Sequence, residues 1–114
     1  MAWLIHDGQV IASVEKDKRG KYSLLRSCFG KLKDINGVLM IENAIFIHNI
    51  GAPVKVNIIF LDNNLSVVKL RSLGRNRAVF VGHKVKYILV GMPKTLLKDN
   101  IHLGDALSIA VDDT

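Results

Sequence analysis

The chain has 114 residues, 16 Lys and Arg against 10 Asp and Glu, a formal charge of +6, 49% hydrophobic residues and 23% charged ones. Such a chain makes one globular domain and buries roughly 60 to 70% of its extended surface, which excludes collagenous, mucin-like and disordered classes. With one cysteine, Cys28, no internal disulfide can form, so a secreted disulfide scaffold is excluded as well.

The apolar pattern has mostly a period of two. Ala2–His6 and residues 9–15 flank Asp7-Gly8, a pair that favours positive φ in a two-residue turn, and so predict an opening β-hairpin. Residues 16–21 are polar and contain glycine, which predicts a loop. Tyr22, Leu25 and Phe29 stand at helical spacing beside Leu24 and Cys28, and predict a short amphipathic helix over 22–29 that ends near Gly30.

Val38–Glu42 and residues 45–50 are short strands around Asn43-Ala44. Residues 54–61 alternate at first, and then Ile59 and Leu61 turn the polar face apolar, so this strand starts at the rim and enters the core. Asp62-Asn63-Asn64 is a turn. The strand over 65–71 changes apolar parity between Val67 and Val68, which predicts a β-bulge. Residues 72–77 form a basic loop, 79–81 and 84–90 two further strands, Pro93 the first residue of a short helix reaching Lys98, and 106–111 a last strand after a turn over 101–105. About eight short strands and one or two short helices make a single mainly β domain over 1–114, a barrel or a sandwich.

The charge is uneven. Residues 16–33 sum to +6 and 63–98 to +8, while the three segments around them are acidic. Brought together, the two basic segments would attract phosphates or anionic surfaces; apart, they are solvated faces. No apolar run approaches the roughly 20 residues of a spanning helix, and the apolar start is cut short by His6-Asp7-Gly8, so no leader or membrane contact is expected and the setting is cytoplasmic.

Chemistry-bearing motifs are sparse. His6, His48, His83 and His102 lie 42, 35 and 19 residues apart, without the close spacing that lets one element offer two metal ligands, and no metal or cofactor is expected. Gly20-Lys21 and Gly30-Lys31 lack the rest of a phosphate loop, Ser27 and Ser66 lack a nucleophile elbow, and Cys28 sits in apolar company. Nucleic-acid binding has charge without stacking partners: Phe46, Phe60 and Phe80 read as core, which leaves Trp3, Tyr22 and Tyr87. Arg71, Arg75 and Arg77 are the best candidates for an anion or nucleic-acid contact.

The stretch 27–109 resembles the bacterial and archaeal family catalogued as domain of unknown function 192, through Ser27-Cys28-Phe29-Gly30-Lys31, Gly37-Val38-Leu39, His48-Asn49-Ile50-Gly51, Phe60-Leu61-Asp62 and Gly104-Asp105. The resemblance implies a mainly β domain with no established reaction and a small-ligand site at strand ends, where His48, Asn49 and Asn57 fall. Asn57 stands for the family's Asp and Val90 for its Glu, so two carboxylates that could act as general base or metal ligand are missing. Three readings follow. The first is a non-enzymatic domain binding a partner or small anionic ligand at His48, Asn49 and Asn57. The second is a nucleic-acid-associated protein using the basic loops, and the third a degenerate hydrolase using His48 and Asp62.

Overall fold

The computed structural model describes residues 2–16, 37–42, 44, 46–49, 55–96 and 100–111, and residues 25–27 as backbone. The hairpin forms as expected: β1 (Ala2–His6) and β2 (Gln9–Lys16) pair antiparallel across Asp7 at φ 52° and Gly8 at φ 79°. Positive φ at both central residues gives the turn the twist of its strands.

The expected helix over 22–29 is corrected at its centre, where Leu25–Ser27 is a strand, β3, parallel to β5 (Phe46–His48). An eight-residue helix is marginal by itself, and β5, distant in sequence, offers the backbone partners that helical spacing cannot reveal. Cys28 and the remainder of that helix lie outside the described residues.

The centre of the molecule is β4 (Val38–Glu42), β6 (Val56–Leu61), β7 (Val67–Leu73) and β9 (Tyr87–Gly91). With β1, β2 and β10 (Ser108–Val111) they form a seven-stranded sheet in the order β10-β1-β2-β4-β9-β6-β7, while β3, β5 and β8 (Ala78–Phe80) form a second sheet. The fold is therefore mainly β, with ten strands among the described residues rather than about eight. The barrel alternative is corrected, because β10 and β7 remain edges of the large sheet. The bridge Ser66↔Ala106 ties the approach to β10 back to the start of β7 at one point, supported by backbone bonds from Val67 N–H to Asp105 O (2.8 Å) and Leu107 N–H to Leu65 O (3.0 Å).

Two buried clusters sit on opposite faces of β4, β6 and β9. Leu39, Ile41, Val56, Ile58, Phe60, Ile88 and Val90 pack with Ile47 and Val81, so the small sheet covers one face. Val38, Met40, Ile59, Leu61 and Leu89 pack on the other with Leu4, Val14, Val67, Leu96, Ile101 and Leu107. Burial on both faces is why β6 reads as a continuous apolar run after Asn57; each such side chain contributes about 1.5–3 kcal/mol when fully buried.

The bulge falls where the parity change put it. Phe60 pairs with Lys69 and Leu61 with Val67, leaving Val68 as the extra residue. Val67 and Leu70, three apart, consequently face the same cluster, and Lys69 Nζ lies 5.3 Å from the centre of the Phe60 ring. The helix expected from Pro93 is one turn over 93–95, in which Met92 O accepts from the N–H groups of Thr95 and Leu96, both at 2.9 Å; residues 97–99 lie outside the described residues. No helix among the described residues is long and apolar enough to cross a membrane.

Candidate functional site

The chain leaves the large sheet at the end of β7 and enters the small one at β8, and this corner gathers most of the residues singled out by sequence. β7 and β8 are each an edge of their sheet, so the corner opens into a cleft of about 410 Å³ lined by Arg71, Ser72, Leu73, Gly74, Arg77, Ala78 and Val79. Among the described residues no carboxylate lines it. Arg75 lies in the exposed turn beside it, whose next residue, Asn76, has φ 57°. Asn tolerates this left-handed conformation better than other side chains that carry a Cβ.

Asn49 holds the corner from behind. It is fully buried; its backbone N–H donates to Arg77 O at 2.8 Å and its carbonyl accepts from Asn76 N–H at 3.0 Å. Its side-chain Nδ2 donates at 3.4 Å to Leu73 O and at 3.5 Å to Gly74 O, long bonds that bring the amide under the start of the turn while its backbone holds the end. Asn57 supports the other wall. Also buried, it donates from Nδ2 to Leu96 O at 2.7 Å and accepts at Oδ1 from the Ser72 hydroxyl at 2.8 Å. Both amides thus stand one hydrogen bond from cleft-lining residues. His48, half-buried, pairs with Ala78 in the small sheet.

Asp62, the other half of the hydrolase reading, lies at the far end of β6. Its Oδ1 accepts from the N–H groups of Asn64 (2.8 Å) and Ser66 (3.0 Å), which makes it the turn residue its neighbours implied. Leu73, bonded to Asn49, pairs with Val56 at the opposite end of β6, so about 20 Å of strand separates Asp62 from the corner. The structure does not bring His48 and Asp62 together.

Sequence reasoning misplaced the aromatics. Phe46 and Phe80 are 41% and 58% exposed and not core, while Ile47 and Val79 between them face inward. They pair directly across β5 and β8 and meet edge to face, centroids 5.3 Å apart and planes at 62°. A signal was available: Phe46 shares strand parity with the polar His48. Of the aromatics expected outside the core, Tyr87 packs against the second cluster, Trp3 is half-buried, and Tyr22 lies outside the described residues.

A second polar cluster went unnoticed in the sequence. His6 Nε2 lies 3.0 Å from Asp105 Oδ2, donating in the tautomer that carries its proton there, and the same oxygen accepts from His102 N–H at 2.9 Å. The His102 N–H bond first, and the His6 bond after it, hold the Asp105 carboxyl below the usual carboxylate range. His6 also lines a cavity of about 240 Å³ with Ile11, Lys94, Thr95, Asn100 and Ile101. Among the described residues no group of three or more His, Cys, Asp or Glu is placed to hold a metal ion.

No protein-family model, curated protein or solved structure matches the chain.

Proposed function

We propose that this chain is a non-enzymatic β-sandwich domain that binds a small anionic ligand, a phosphate-bearing group, in the cleft at the corner between β7 and β8. The observation that carries the reading is the pairing of Arg71 and Arg77 in one cleft that no carboxylate lines among the described residues. Guanidinium groups bind phosphate oxygens through paired N–H donors at fixed geometry, and two of them across a small concavity favour a dianion over chloride. The backbone around Gly74 adds polar groups to the lining, while the Ser72 hydroxyl is committed to Asn57 and fixes that wall.

In this reading His48 borders the cleft, while Asn49 and Asn57 position its walls: Asn49 fixes the turn that presents Arg77, and Asn57 orients Ser72. The resemblance to domain of unknown function 192 supports a small-ligand site at these strand ends, and an amide in place of the family's carboxylate supports binding over turnover. Isothermal titration with inorganic pyrophosphate at low salt tests the proposal. Binding that drops at least tenfold in Arg71→Ala/Arg77→Ala, with unchanged circular dichroism, is the expected result. Equal binding by that double variant, or none by the unaltered protein, refutes it.

A further inference from the structure

The outer face of the small sheet meets the cleft at Ala78, which lines the cleft and shares strand parity with Phe80 two residues on. Across the strands Phe80 opposes Phe46, and Ala78 opposes His48, so one exposed face carries two phenyl rings, an imidazole and a small residue. Two exposed rings in contact form a contiguous apolar patch, the kind of surface that marks an interaction site rather than a scattered surface side chain. Two residues along a strand cover about 7 Å, so the Phe80 backbone lies about that far from the Ala78 rim of the cleft, a span the sugar and base of a nucleotide can cover.

We infer that the ligand of this domain is single-stranded nucleic acid, with a phosphate in the Arg71 and Arg77 cleft and neighbouring bases stacked on Phe80 and Phe46. The inference rests on the cleft being an anion site and adds the class of anion. Charge complementarity selects this occupant over an apolar protein surface: residues 63–98, which include β8 and both arginines, carry eight Lys and Arg and no Asp or Glu. Aromatic rings on a sheet face beside guanidinium groups bind splayed bases, because every base has a face to stack and every linkage a charge to neutralise. A duplex hides both faces of its bases and fits the site poorly.

The test is fluorescence anisotropy of the full chain with a labelled mixed-sequence oligodeoxynucleotide of about 12 residues, as single strand and as duplex. The single strand should bind more tightly than the duplex, and a site with two phosphate contacts should weaken about sevenfold between roughly 50 and 200 mM salt. Phe80→Ala should weaken single-strand binding roughly 5- to 100-fold while leaving pyrophosphate binding unchanged, and Phe80→Tyr should restore it. Pyrophosphate binding without oligonucleotide binding overturns the inference and leaves the anion site standing. Oligonucleotide binding insensitive to both Phe80→Ala and Phe46→Ala overturns it as well. Concentration-dependent dimerisation that Phe80→Ala abolishes, without nucleic-acid binding, assigns the face to self-association and also overturns it.

Discussion

Asn57 is a buried amide whose two ends face opposite chemical demands, a carbonyl at Leu96 that needs a donor and a hydroxyl at Ser72 that needs an acceptor. Only an amide in this orientation meets both. Asn57→Ala should cost about 1–3 kcal/mol, read as a lower denaturant midpoint, because the Leu96 carbonyl is left buried without its donor. Asn57→Asp should cost more, about 3–5 kcal/mol at neutral pH, since a buried carboxylate would face that carbonyl. Its deficit relative to the unaltered protein should shrink towards pH 4, where a protonated Asp donates again. A deficit independent of pH would contradict this account of the contact.

Asp105 gives the second residue-level prediction. Its folded pKa is depressed, so its bonds to His102 and His6 stabilise the fold above the unfolded pKa of about 3.9, and that contribution is lost as pH falls through the lower folded value. Asp105→Asn should therefore lower the melting temperature near neutrality, and the two proteins should converge in acid. A constant gap from pH 7 to pH 2 would contradict it. The cluster was invisible in sequence because His6 and Asp105 stand 99 positions apart and meet only when the turn before β10 closes against the first hairpin.

At the scale of elements, legibility followed how local the cause was. The Asp7-Gly8 turn and the extra residue at Val68 are each written in a few adjacent residues and stand where the pattern put them, whereas β6 does not start at the rim but is buried from Val56 and Asn57 onward. Leu25–Ser27 became a strand because of β5, and the stretch after Pro93 stopped at one turn, its Leu96 packed in the second cluster. Neither partner is visible from spacing. Phe46 and Phe80 show the same limit: a short apolar strand does not declare which of its faces the second sheet will cover.

The parallel pairing of β2 with β4 adds a constraint that sequence hides. Gly37, the residue before β4, lies against Ser13 of β2, and a Cβ built there would fall on the Ser13 hydroxyl and carbonyl oxygen. The backbone is not free to yield, being held by ladder bonds on the β2 side. Gly37→Ala should consequently destabilise by about 1–3 kcal/mol or more, lowering the denaturant midpoint at an unchanged slope. Stability equal to the unaltered protein would show that the two strands are not in this register.

Taken whole, the molecule sets two arginines, Arg71 and Arg77, and two exposed phenyl rings around one corner. The +6 of the sequence is a mixed quantity: part lies in segments outside the described residues, while Arg71 and Arg77 line a cleft that two buried amides brace from behind. His48, Asn49 and Asn57 were legible as residues at strand ends, and the arginines as a basic loop. That the two sets meet was not legible, since it depends on β7 and β8 being edges of different sheets.

Binding at this corner is the central claim, and the most direct measurement is an amide nitrogen–proton NMR titration of the full chain with inorganic pyrophosphate. The account predicts saturable shifts concentrated at residues 71–79 and at Asn49, whose N–H bonds Arg77, and their disappearance in Arg71→Ala/Arg77→Ala. Shifts centred elsewhere, such as on the cavity beside His6 and Lys94, or shifts that persist in the double variant, would contradict it.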